Sequence, residues 1–311
     1  MALTAKQLED RKAWLGASDM AAVLGLDPYR TPYEVWADKT GRAPAREGGE
    51  RAKYGTMIEP VLRAWASAKL ERPVVASTST FRHMSVPCMA VNPDGFVGKC
   101  QRGNPLVECK RTSLAQEWGE PGTDQVPYRT IVQVQTQMAC TASPHVHVVA
   151  DIADRFHEGP EMYIVHRDNE MIAMIEERAV EFWNLIANDT PPEDGPVPPV
   201  EFIAKVRRDT VDPAQVDDAI IAEYQAANER RKKAEKEEEE IKARLLLKLG
   251  TSEIGESEMH IVKYVMENAG SNTDMAAIRQ NHPEQFEAWQ QLIDRYQVKR
   301  TRRVLRIKAR K

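Results

Sequence analysis

The sequence has no run of about 18 uncharged apolar residues, the least that spans a bilayer as a helix. No membrane span is expected. Its opening, MALTAKQLEDRKAW, lacks the apolar segment of a secretory signal, so a cytoplasmic protein is expected. The four cysteines, Cys88, Cys100, Cys109 and Cys140, show no paired spacing. That pattern fits reduced thiols and argues against a disulfide framework. There is no internal repeat. Nor is there an overall excess of positive charge: the net charge is −4, so a polyanion partner would have to be met by localised basic residues.

One such place exists. Lys299–Lys311, KRTRRVLRIKARK, carries eight basic residues and no acid. From Arg306 the basic residues alternate with Ile307 and Ala309, the period of a strand with one basic face. A solubilising tail and a phosphate-contacting strand both fit it. Elsewhere, 42% hydrophobic and 29% charged residues over 311 positions indicate a packed core large enough for one sizeable domain and a smaller one.

The first third reads as helical. Ser18 is placed to cap a helix through SDMAAVLG that Gly25 ends. Thr31-Pro32 opens a second helix that stops at Gly41. A longer one runs from about Glu50 to Leu70, with Pro60 expected to interrupt it. Strand patterns follow in PVVAST, CMAVNPDGFVG and PLVECKR, with a polar hairpin loop from Gly98 to Pro105. Pro127 starts a helix through YRTIVQVQTQMACTA, and HVHVVADIA and EMYIVHRD are strands. Ile172, Ile175, Ala179, Phe182 and Ile186 form the apolar stripe of a further helix. The fold class is α/β, with a mixed α+β sheet flanked by helices. Residues 1–189 form the core. The Pro-rich stretch Asp189–Glu201 marks a boundary, with the linker over 190–201. Residues 202–311 hold one long charged helix, more plausibly folded back than a coiled-coil arm, then weak strand patterns and the basic ending.

Chemistry concentrates in VNPDGFVGKCQRGNPLVECKRTS. Side chains alternate along a strand, so Glu108 and Lys110 share a face. Asp94, Glu108 and the Cys109 carbonyl offer hard oxygens of the kind magnesium takes. Lys110 beside them can orient a water or offset negative charge. An ordinary Pro-Asp-Gly turn and an edge-strand ion pair fit the same residues. Glu59 lies on the helix upstream, as a ligand or a solvated acid. Gln133 and Gln137 share one helical face at i, i+4, with Gln135 between them pointing elsewhere. His145 and His147 share a strand face, and His157 follows. No third nitrogen or sulfur has suitable spacing, so no zinc site is expected.

In order along the chain, WLGASDMAAVLG, TPYEVWADKTGR, YGTMIEP, NPDGFV, VECKRTS and VQVQTQM resemble the lambda-type phage exonucleases, also called YqaJ-like viral recombinases, of the PD-(D/E)XK superfamily. The resemblance covers roughly Arg11 to Arg167. It implies a restriction-endonuclease-like core with a C-terminal helical and β extension. It implies Asp94 and Glu108 as metal ligands, Glu59 as the helical acid that binds or orients a second metal, Lys110 as the catalytic lysine and Gln133 as the residue that positions that lysine or the attacked phosphate. Ser18 and Arg11 match positions that hold a terminal 5′ phosphate; a helix N-terminus at Ser18 would suit an anion, and a plain capping serine fits equally. Gln135 and Gln137 are carried as substrate-binding positions. The implied activity is a 5′→3′ double-stranded DNA exonuclease of phage or prophage recombination using two Mg2+ ions, with Mn2+ able to substitute. The implied partners are duplex DNA with 5′ phosphate ends, a single-strand-annealing recombinase and two further copies in a homotrimer. The sequence departs from the family after the lysine, where Arg111-Thr112-Ser113 stands in place of a proline or apolar residue. A site- or structure-specific endonuclease on the same fold, and a catalytically silent DNA-binding or assembly protein, are the alternatives. An iron–sulfur nuclease is disfavoured because no cysteine follows Cys140.

Overall fold

The computed structural model describes residues 11–44, 49–153, 159–206, 215–265 and 275–296. The chain divides into two compact units, residues 1–209 and 210–311. The basic ending, Lys299–Lys311, lies outside the described residues, as does His157.

The first unit begins with helices α1 (Ala17–Val23), α2 (Pro32–Lys39) and α3 (Glu50–Lys69). Strands β1 (Val74–Ala76), β2 (Phe81–Arg82), β3 (Ala90–Val91), β4 (Gly95–Val97) and β5 (Leu106–Thr112) follow. Then come α4 (Tyr128–Thr141), β6 (His145–Ile152), β7 (Glu161–His166), α5 (Asn169–Ala187) and α6 (Val200–Lys205). Five strands make the main sheet, in the order β1-β4-β5-β6-β7. Every neighbour is antiparallel except the β5–β6 pair, which is parallel. A parallel pair needs a long crossover, and α4 supplies it. This is the mixed sheet flanked by helices that the sequence pattern leads one to expect.

The sheet is covered on both faces. Val146, Val148, Ala150 and Ile152 of β6 pack with Leu106, Val134 and Met138 on the α4 side. Val107, Val149 and Val97 pack with Leu62 and Ala66 of α3 on the other. Burial on both faces shows along β6, where every residue from Val146 to Ile152 is buried, including His147 and Asp151. The free edge of β7 is closed by a loop: Gly122 N–H donates to the Met162 carbonyl at 2.8 Å, and Ile164 N–H to that of Thr123 at 2.9 Å. A second core joins α1, α2 and α5 through Met20, Val35, Trp36, Ile175 and Phe182. Gly195, at φ +95°, lies so close to Pro32 that a Cβ would approach its ring at 2.8 Å. The Pro-rich stretch therefore runs against the start of α2.

Three local expectations are corrected. Helix α1 begins at Ala17 with Gly16 as its N-cap. Ser18 lies inside the first turn, because Asp19 takes the capping work: its Oδ2 accepts the Gly16 N–H at 2.9 Å. Pro60 does not interrupt α3, which is continuous. Pro60 lies on the exposed side of the helix, and buried Leu62 and Ala66 anchor the helix around it. The two halves of CMAVNPDGFVG are not one strand. β3 pairs with β2 in a separate two-stranded sheet, and Pro93-Asp94 carries the chain between sheets.

In the second unit α7 (Asp218–Leu249) is a single 32-residue helix with no buried residue. Asp217 caps it, accepting the Ala219 N–H at 2.8 Å. Ion pairs at three- and four-residue spacing, including Lys232–Glu229 at 2.9 Å and Arg231–Glu235, lie along it. A hairpin of β8 (Ile254–Glu256) and β9 (Ile261–Lys263) follows, then α8 (Met275–Asn281) and α9 (Pro283–Tyr296).

Asp19 also receives Arg30 at 2.5 Å and Lys39 at 2.7 Å. Burial alone would raise its carboxyl, but Lys39 and Arg30 hold it well below the usual carboxylate range. The folded state therefore binds this proton less readily than the unfolded chain. Its stabilisation is complete above the unfolded value, about 3.9, and fades as pH falls toward the folded one. Asp19→Ala, which leaves Lys39 buried beside Arg30 without their shared acid, is expected to lower unfolding free energy by about 3–5 kcal/mol in urea titrations at pH 7. The deficit should shrink progressively below pH 4.

Candidate active site

The site is built on β5. Glu108 and Lys110 point to the α4 face, and Glu108 is 3% exposed. A carboxylate this buried needs donors, and α4 provides them. Gln133 Nε2 donates to Glu108 Oε1 at 2.6 Å and Gln137 Nε2 to Oε2 at 2.7 Å. Lys110 Nζ reaches Glu108 Oε1 at 2.8 Å and donates to Gln133 Oε1 at 2.6 Å. Glu108, Lys110 and Gln133 thus close a triangle in which each fixes the other two. Burial would lower the Lys110 pKa, but Glu108, and beyond it Asp94, hold the ammonium above its ordinary value.

Asp94 arrives from the inter-sheet connection. Its Oδ2 accepts the Cys109 N–H at 2.8 Å, which ties it to the middle of β5. The chain can pass here because residue 95 is glycine. A Cβ on Gly95 would press against Arg63 Cδ at 3.1 Å and the Val75 carbonyl at 3.1 Å. Burial and the negative charge of Glu108, with a smaller contribution from Glu59, push the Asp94 carboxyl well above the ordinary range. The Cys109 amide and Lys110 only partly oppose them. Glu59, on α3, is 3.7 Å from Arg63, whose Nη1 also donates to the Asp94 carbonyl at 3.4 Å. The Cys109 thiol faces the Glu59 carbonyl at 3.9 Å, and burial and Asp94 push its pKa far up.

Among the described residues no three His, Cys, Asp or Glu side chains converge in a ready coordination cluster. What the site does have is two neighbouring carboxylates whose mutual repulsion is only partly offset, with carboxylate and carbonyl oxygens about them. That donor chemistry fits a divalent oxygen-seeking cation held by Asp94 and Glu108.

Beside the triangle opens a cavity of about 280 Å³. Its walls include Ser18, Lys110, Arg111, Thr112, Arg129 and Gln133. Arg111 is held by Asp151 at 2.9 Å and Arg129 by Glu117 at 2.6 Å. Exposed Ser18 therefore shares a cavity with three cations. Arg11 opens a 3-10 helix, Arg11–Ala13, and its side chain lies outside the described residues.

Gln135 does not join the site. It is 2% exposed, and both ends of its amide bind the β7–α5 junction, at the His166 carbonyl and the Asp168 N–H. Gln137 joins it only from beneath. At 1% exposure it orients Glu108 and has no surface to offer a substrate. Arg129 was not singled out from sequence, although a signal was there: Arg129, Gln133 and Gln137 form one stripe at successive four-residue spacings on α4.

Residues 6–144 match the family described as the YqaJ-like viral recombinase domain. This stretch is similar to that family. The matched stretch contains Ser18, Glu59, Asp94, Glu108, Lys110, Gln133 and Gln137. The uncharacterized protein YqaJ of Bacillus subtilis is 27% identical over 219 residues, 68% of this chain and 65% of that protein. The chain therefore spans less than two thirds of that relative's length. Protein D345L of African swine fever virus is 27% identical over 88 residues, 28% of this chain and 26% of that protein. Among solved structures, the alkaline exonuclease LHK-Exo of Laribacter hongkongensis is similar at 23% identity and a TM-score of 0.47, covering 60% of this chain and 94% of that one.

Outside the matched stretch, His145 Nε2 and His147 Nε2 lie 3.2 Å apart, with His166 directly opposite His145 in the β6–β7 register. Burial first, then His145, Arg72 and His166, push the His147 imidazole down to about 4. The unfolded chain, with a histidine near 6.5, binds this proton more readily. Stability is then fully present above about 6.5 and lost as pH falls toward 4. His147→Leu is expected to lose less stability than the parent between pH 7 and pH 5, by on the order of 1–2 kcal/mol in urea midpoint measurements.

Proposed function

We propose that this protein is a divalent-metal-dependent deoxyribonuclease, acting as a 5′→3′ exonuclease on double-stranded DNA and releasing 5′ mononucleotides. The observation that carries the reading is the Glu108–Lys110–Gln133 triangle, with Asp94 tied to the same strand through the Cys109 amide. Buried, mutually fixed polar groups of this kind specify one arrangement and need no reorganisation during reaction.

The family implies a divalent ion, and magnesium suits the donors. Asp94, Glu108 and the Cys109 carbonyl would hold it, with Glu59 serving a second ion. When bound, such ions supply Lewis-acid charge to a phosphodiester and acidify water. The chain's own groups do the rest. Glu108, gripped by Gln133 and Gln137, keeps its oxygens aimed. Lys110 presents a cation where negative charge develops on the attacked phosphate, and Gln133 holds that ammonium in place. Arg111, Arg129 and Ser18 line the adjoining cavity, whose charge suits the terminal 5′ phosphate and the strand behind it. A preference for 5′-phosphorylated ends follows from those cations.

The reading is tested with a linear 5′-phosphorylated duplex, the same duplex with 5′ hydroxyl ends, and a covalently closed circle, each with Mg2+. Digestion of the phosphorylated duplex with the circle untouched is expected. Glu108→Gln and Lys110→Ala are expected to lower the rate at least about a hundredfold with unchanged circular dichroism. Full activity in both variants overturns the assignment, and cutting of the circle replaces the exonuclease with an endonuclease.

A further inference from the structure

The cavity beside Lys110 has one wall that phosphate chemistry leaves unused. Tyr29 lines it and is 66% exposed, an unusual position for a large aromatic ring in a loop that the rest of the molecule holds still. Its backbone is pinned: Tyr29 N–H donates to Asp27 Oδ1 at 2.8 Å. Pro28 precedes it, and its neighbour Arg30 is locked by Asp19 at 2.5 Å and Asp38 at 2.9 Å. Against the ring lies the Arg129 guanidinium, 5.4 Å from its centroid, itself fixed by Glu117. A second pair repeats the arrangement next to the same cavity. Tyr54 of α3 is 51% exposed, with the Arg111 guanidinium 5.8 Å from its ring and Arg111 fixed by Asp151.

Two open tyrosines, each paired with a tethered arginine, therefore accompany one cation-lined cavity at the catalytic lysine. Phosphate needs no aromatic surface. Nucleobases do: they stack on aromatic rings and guanidinium planes irrespective of sequence. The charge around the cavity selects a polyanion, and the rings supply what its bases require. We propose that Tyr29, with Tyr54 as its counterpart, is a stacking platform for nucleobases unpaired near the end of the DNA strand entering the site. The proposal rests on the nuclease reading and adds a handhold on bases to one on phosphates. It makes end capture independent of base identity but dependent on a base being present.

The test measures binding separately from cleavage. Fluorescence anisotropy is recorded with a 5′-phosphorylated duplex in Ca2+, for the parent, Tyr29→Phe and Tyr29→Ala, using the intact duplex and a set with one abasic nucleotide at each of the first few positions. Digestion in Mg2+ is followed in parallel. Tyr29→Phe should bind as the parent does. Tyr29→Ala should weaken binding of the intact duplex roughly tenfold, the size of one lost base–aromatic stack, raise KM similarly and leave kcat unchanged. At one abasic position the parent and Tyr29→Ala should bind alike. Equal weakening of intact and abasic duplexes at every position, or no weakening at all, overturns the stacking role and leaves the nuclease reading intact. A parent that neither binds nor digests the duplex overturns the nuclease reading and this proposal with it.

Discussion

Glu108 carries its charge into the interior of the sheet, and much of the site follows from what that burial demands. An ionised carboxylate out of water is strongly unfavourable unless donors surround it. The donors come from α4, which has to cross over β5 to reach β6 because those strands are parallel. The crossover is therefore both the topological link and the source of Gln133 and Gln137. A four-residue spacing puts the two amides on one helix face, and each takes one oxygen of the same carboxylate. Lys110 then completes the arrangement from two residues further along β5. The chain uses one strand and one helix to fix a carboxylate, an ammonium and two amides relative to each other.

Asp94 obeys a different constraint. It is tied by one backbone donor and repelled by Glu108 and Glu59. Both Glu108 oxygens meet protein donors without exhausting their lone pairs, while Asp94 in its partly buried place has one backbone donor. The Pro-Asp-Gly sequence, read alone as a surface turn, here spans two sheets. Gly95 allows the close approach to α3 that keeps Asp94 beside Glu59's helix.

Much of this was legible in the residues. Period two placed Glu108 and Lys110 on one face, and period 3.6 placed Gln133 with Gln137. Both hold because each element is regular and its neighbours sit on known sides. The illegible parts depend on long-range packing. Ser18 looked like a cap because serine is a good one, but Asp19 won that position once Arg30 and Lys39 fixed it in the interior. Pro60 looked like a break because its local effect is unfavourable, and burial of Leu62 and Ala66 outweighed it. Gln135 sits two residues from each partner glutamine, so the helix turns it toward β7 and its amide is consumed there. Residue type alone could not separate it from them.

The arginines around the cavity show how pairing can preserve a charge without cancelling it. Arg111 and Arg129 each meet one acid, Asp151 and Glu117, and Lys110 meets Glu108. If those pairs were fully exposed, water and salt would leave each side chain wandering and each pair worth little. They are partly buried, so the acids fix where the cations point. A guanidinium has five donors in a planar fork, and one carboxylate engages only part of it. What remains is aimed and positively charged, beside a hydroxyl at Ser18 and an ammonium at Lys110. Glu108, on the strand of Lys110, and Asp94, tied to that strand through the Cys109 amide, gather negative charge nearby. Cations around the cavity and carboxylates near it would suit the proposed phosphodiester substrate, whose backbone needs cations while its scission needs oxygen donors for a metal.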